Sequence, residues 1–180
     1  MSTVTALPER LRARVLPLTL SRVAFGLLGL LVVSIVLRTQ AIHGRFWIDE
    51  GISTGISSHP FVDIPGLLRQ DGSPPLYYLL LHVWMLVMGS GEADTHALSL
   101  GFALLCIPTG FVLGRELFGT RAAWASAALA TTNPFLTYYA QETRMYALVA
   151  WLSMVVAGSF ALAFVRRRRG WVPVFAAAQA

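Results

Sequence analysis

Four long stretches of this 180-residue chain contain no charged side chain: Val23–Leu37, Ala97–Gly114, Ala122–Tyr139 and Met145–Val165. No other feature limits its fold as strongly. A helix needs about 20 mostly apolar residues to cross the hydrocarbon core of a bilayer. The last three runs come close to that length, and the first reaches it when Leu18–Arg22 is added. The chain therefore reads as an all-α, polytopic membrane protein with four transmembrane helices. Trp171–Ala180 looks like the start of a fifth span, so the chain is expected to be an amino-terminal fragment of a longer protein.

Composition agrees. Hydrophobic residues make up 56% and charged residues 13%, against roughly 45–50% and 25% in soluble domains. A disordered chain, a collagen and a disulfide scaffold are all excluded, and Cys106 is the single cysteine. The arginines before the first run also suit a signal peptide, but that run is long for one and Gln40–His43 makes a poor cleavage site.

Leu76–Met88 is apolar apart from His82, yet only 13 residues long. As a helix it would rise about 20 Å, short of a core of about 30 Å. Charge decides how to treat it. If it does not cross, residues 1–22, 115–121 and 166–170 lie inside, where ten arginines against two acids give +8. Residues 38–96 and 140–144 then lie outside, where four arginines against seven acids give −3. If it crosses, Arg166–Arg169 move outside and Glu92 and Asp94 inside. The first arrangement predicts a cytoplasmic basic tail over 1–22 and a transmembrane domain over 23–165. It also predicts a long external loop over 38–96 with short juxtamembrane helices, and a second external loop over 140–144. Residues 166–180 are then a cytoplasmic arginine run and a truncated fifth span. The expected location is the plasma membrane, multi-pass, with the amino terminus cytoplasmic. Membrane lipids are natural partners of the arginine run. Nucleic acid is not, because no aromatic-interleaved basic face accompanies it.

Three polar clusters fall on the external side. Asp49-Glu50 follows Phe46-Trp47; the pair suits a general base or a metal, or simply a solvated helix N-terminus. Asp71-Gly72-Ser73-Pro74-Pro75-Leu76-Tyr77-Tyr78 reads as a turn starting a helix. There, Asp71 or Ser73 can cap, and the tyrosines belong to an interfacial belt or a sugar-stacking wall. Gln141-Glu142-Thr143-Arg144 joins two apolar runs. Its carboxylate and guanidinium suit a metal or a phosphate, or simply a polar turn. His43, His59 and His82 share this side, with no metal-binding spacing among them.

These clusters, in this order, resemble the GT-C class of membrane glycosyltransferases. The nearest types are the protein O-mannosyltransferase and aminoarabinose transferase group and actinobacterial mannosyltransferase-like proteins. Asp49-Glu50, Asp71 to Tyr78, Gly114-Arg115-Glu116-Leu117-Phe118-Gly119 and Tyr139 to Tyr146 carry the resemblance, over about Arg22 to Val165. It implies transfer of a sugar such as mannose from a polyprenyl-phosphate donor, with inversion, to a protein, lipid or glycan acceptor outside. Carried over, Asp49 is the catalytic base or orienter, with Glu50 beside it. Glu142, with Asp49, would hold a divalent metal (Mg or Mn) where one is used. Arg144 would steady the phosphate, and Gln141, Asp71, Tyr77 and Tyr146 would complete the substrate-binding surface. The competing classes are a non-catalytic membrane protein and a piece of a transporter. A transporter usually places ionisable groups within its spans, and the four runs have none.

Overall fold

Uninterrupted apolar sequence leaves backbone hydrogen bonding as the main source of local order, and helices satisfy it within one segment. A computed structural model describes residues 9–179, with side chains from residue 21 onward. Most of the expected basic tail therefore lies outside the described side chains. The described residues are helical, with no strand: α1 (Glu9–Arg38), α2 (Ile48–Ser57), α3 (Ile64–Asp71), α4 (Pro75–Met88), α5 (Glu92–Phe118), α6 (Thr120–Thr132), α7 (Pro134–Tyr139), α8 (Tyr146–Phe160) and α9 (Val172–Gln179). A π-helical turn, Ala161–Val165, prolongs α8.

Three helices are long and apolar enough to cross a membrane: Ser21–Arg38, Glu92–Phe118 and Tyr146–Val165. The run expected as one further span, Ala122–Tyr139, is instead divided into α6 and α7. Pro134 has no N–H, so the Ala130 carbonyl loses its helical partner. Asn133 takes an extended conformation and caps α7, accepting from the Leu136 N–H at 3.1 Å.

The orphaned carbonyl is taken by Arg38, which is fully buried. Arg38 donates to Ala130 O at 2.5 Å, to Ala103 O at 3.3 Å and to Ser34 Oγ at 2.5 Å. A residue expected in the external loop is thus the last residue of α1, set at the level of the middle of α5. The run Val23–Leu37 itself stays uncharged, as expected, but the helix continues one residue further and places Arg38 among the apolar helices. Its hydrogen bonds run to two helix carbonyls and the Ser34 hydroxyl, its Nε has no partner among the described residues, and it acts as a staple joining α1, α5 and α6.

The tightest packing lies between α5 and α6. Gly110 and Gly114 are four residues apart, on one face of α5, and meet Ala122, Ala123 and Ser126 of α6. A methyl group at Gly114 would lie 2.9 Å from Ser126 Oγ and 3.0 Å from Ala122 O. Small residues at such crossings let helix backbones approach without the large apolar side chains that drive packing in water.

α4 runs beside only the first turns of α5. The Tyr77 hydroxyl meets Ser99 Oγ at 2.9 Å, and Trp84 Nε1 donates to Asp94 O at 2.7 Å. Both Tyr77 and Tyr78 are buried, in a cluster with Ile64, Leu68, Leu81, Leu98 and Leu148. Neither the belt nor the sugar-wall reading of these tyrosines survives. The exposed stripe of α4 is Leu76, Leu80, Val83 and Val87, at the i, i+4, i+7 spacing of one helix face.

Candidate functional site

The polar residues gather at one end of the bundle, where α2 begins, α5 begins and the 140–145 turn enters α8. Glu50 is the hub and is 2% exposed. Its Oε2 accepts the Trp47 N–H at 3.2 Å, closing the first turn of α2. Its Oε1 accepts the Thr143 N–H at 2.7 Å and lies 2.8 Å from His96 Nε2. The other ring nitrogen of His96 is 2.7 Å from the Ile42 carbonyl. A carbonyl only accepts, so Nδ1 carries a proton. A carboxylate and a bare Nε2 would repel at 2.8 Å, so a second proton lies between His96 and Glu50. This couple joins α2, α5, the turn after α1 and the 140–145 turn, and engages both oxygens of Glu50. Glu50 is therefore a positioning residue.

Asp49, one position earlier on α2, faces outward. Its side chain is 41% exposed and its Oδ2 lies 3.6 Å from Arg144 Nη2. Arg144 Nη1 also donates to Asp49 O at 3.4 Å and Ser53 Oγ at 3.3 Å. The guanidinium lies over the Tyr146 ring, 5.7 Å from its centroid, within cation–π range. Burial works against the Arg144 charge, but the Tyr146 hydroxyl, Tyr78 and Asp49 outweigh it and hold the guanidinium above its ordinary range.

The turn itself is tied down. The Thr143 hydroxyl donates to Thr95 Oγ1 at 2.8 Å, and Ser99 Oγ donates to the Arg144 carbonyl at 3.2 Å. Gln141 accepts the Ala41 N–H at 2.5 Å and donates to Thr137 O at 3.0 Å. Both ends of its amide are engaged, so it positions the turn.

Two buried polar atoms of this turn have no hydrogen-bond partner, Glu142 Oε2 and Arg144 Nε. Leaving such groups unpaired costs about 1–3 kcal/mol each. Burial holds the Glu142 carboxyl above the usual carboxylate range, the Glu50 charge adds to that, and the Tyr138 hydrogen bond opposes it. The exposed Tyr138 hydroxyl is raised in turn, by its hydrogen bond to Glu142 and that carboxylate's charge. Beside them, Phe135, Tyr138, Tyr139 and Tyr146 form a chain of ring contacts with centroids 4.5–5.0 Å apart.

Asp49, Glu50, Glu142, Arg144 and Tyr146 are thus brought together, from segments almost a hundred residues apart. Tyr77 joins the network only as the buried partner of Ser99. Asp71 does not join it: it ends α3, exposed, and α4 has no side-chain cap. His82 bonds the Ser57 carbonyl at 2.8 Å, and His43 and His59 are exposed. Sequence reasoning missed His96, Thr95, Ser53 and Ser99. His96 stands one residue before an uncharged run, and only the fold places its ring against Glu50.

The donor set does not suit a divalent metal. Among the described residues no three His, Cys, Asp or Glu side chains converge. Glu50 is buried with both oxygens already engaged, and a guanidinium stands beside the remaining two carboxylates. Compared with known proteins, the chain matches no family model, no curated protein and no solved structure.

Proposed function

We propose that the chain belongs to a membrane glycosyltransferase of GT-C type. It would move a sugar, such as mannose, from a polyprenyl-phosphate donor to an acceptor hydroxyl at the external face of the plasma membrane. The observation that carries this reading is the half-open Asp49–Arg144 pair, held on a rigid buried network at the end of membrane-length helices. In this reading the acceptor oxygen attacks the anomeric carbon while the bond from that carbon to the phosphate oxygen breaks. Asp49 takes the acceptor proton, and the polyprenyl phosphate leaves with the bonding electrons. Arg144 faces the charge that grows on the phosphate, where a fixed cation lowers the barrier. The unpaired Glu142 Oε2 and Arg144 Nε give a polar substrate two groups to satisfy. The exposed ring of Tyr138 and the half-buried ring of Tyr146 flank the same place. Arg38 gives the transporter reading no support, because it is sealed by helix carbonyls.

The test is a transfer assay with membranes containing the full chain, using polyprenyl-phosphate sugars. Arg144→Lys keeps the charge and loses the planar fork. Loss of one or two charge-assisted hydrogen bonds lowers kcat/KM by about tenfold to a hundredfold. Transfer by Arg144→Lys at the wild-type rate would remove Arg144 from the mechanism.

A further inference from the structure

The opposite end of the bundle carries Arg115, Arg121 and Arg166–Arg169, with Glu116 as the only acid among the residues whose side chains are described. The run of four divides by alternation. Arg166 donates Nη2 to the Leu117 carbonyl at 2.7 Å, closing the last turn of α5. Arg168 pairs with Glu116 of the same helix. Arg167 and Arg169, in the alternate positions, are exposed and instead line an open surface groove of about 690 Å³ with Ala163, Phe164, Val172 and Pro173. Neither has a carboxylate partner among the described residues.

The backbone sets Arg167 in place. At φ 55° it is the only non-glycine residue in the left-handed region among those described. It ends the π-helical turn, between the bonds Arg166 N to Ala161 O and Arg168 N to Leu162 O, both 2.9 Å. Such a helix end usually takes glycine. Here a long cationic side chain occupies it at a conformational cost.

Two unpaired guanidiniums over apolar walls, at the end of membrane-length helices, fit a phosphate that carries hydrocarbon. Guanidinium forks grip phosphate oxygens in pairs, and a basic cluster at this depth draws acidic lipids. We propose that this open groove is a specific site for an anionic glycerophospholipid. Its phosphate lies between Arg167 and Arg169, and an acyl chain follows Phe164, Val172 and Pro173. The site is independent of the polar cluster and of the activity proposed for it.

The experiment reads melting temperature in neutral detergent after adding phosphatidylglycerol, phosphatidylcholine or inorganic phosphate. Phosphatidylglycerol raises it by several degrees; phosphatidylcholine and phosphate do not. Arg167→Gly with Arg169→Gln loses most of that rise. Glycine suits φ 55°, so this variant keeps its lipid-free melting temperature. Arg169→Gln alone, which leaves the backbone of Arg167 untouched, loses about half the rise. Arg115→Gln with Arg121→Gln keeps it. An equal rise with phosphatidylcholine or phosphate, or an undiminished rise in the double variant at 167 and 169, overturns the site.

Discussion

At the polar end, Glu50 is sealed among Trp47, His96 and Thr143, and the Arg144 side chain is 13% exposed beside Asp49. At the arginine end, Arg168 and Glu116 pair with 52% and 33% of their side chains in solvent. Both ends hold an acid beside a base, yet only the first is built into the packing. A buried charge that loses its partner costs about 3–5 kcal/mol, whereas an exposed pair contributes about 0–1. The polar end therefore holds geometry, and the arginine end offers charge.

Matched truncations test that contrast most strongly. Glu50→Ala strands the His96 ring and two backbone N–H groups, and unfolding in detergent should show a loss of about 3–5 kcal/mol. Glu116→Ala should lose about 1 kcal/mol or less in the same measurement. Equal losses would erase the distinction between the two ends.

The next effect lies between them, at the α5–α6 crossing. Gly114→Leu forces a side chain against Ser126 Oγ and the Ala122 carbonyl. Overpacking of this kind costs about 1–3 kcal/mol, readable as a lower melting temperature. Gly101→Leu, on the same helix with open space at its Cβ position, serves as control and should change little.

The smallest effect sharpens the polar end alone. Because burial raises the Glu142 carboxyl, the folded chain binds this proton more tightly than the unfolded chain does. The stability it contributes is complete below the ordinary carboxylate range and is lost as pH rises through the raised value. Glu142→Gln has no such loss. Its melting temperature should match wild type in acid and exceed it by a few degrees at neutral pH.

The helical class and most helix positions were legible because uncharged runs of that length have few other solutions. The division of Ala122–Tyr139 was legible in principle at Asn133-Pro134, but hydropathy alone ran across it. The clusters at 49–50 and 141–144 stood out as polar islands in apolar sequence. What the sequence did not reveal was which neighbour does what. Asp49 and Glu50 are adjacent carboxylates with the same local chemistry. Helix geometry turns them about 100° apart, so one meets His96 inside and the other solvent. Arg38 was misplaced for a related reason: an arginine at the end of an apolar run reads as a loop residue until a proline-freed carbonyl ninety-two positions away is seen beside it.

The assignment of work to Asp49 and of holding to Glu50 is tested most directly by Asp49→Asn in the full chain. Sugar transfer and melting temperature are measured on the same preparation. Removing a general base costs about a hundredfold to ten-thousandfold in rate, while a half-exposed Asp to Asn change leaves the packing intact. The account predicts transfer reduced by that factor with the melting temperature within a degree or two of wild type. Transfer at the wild-type rate would contradict it.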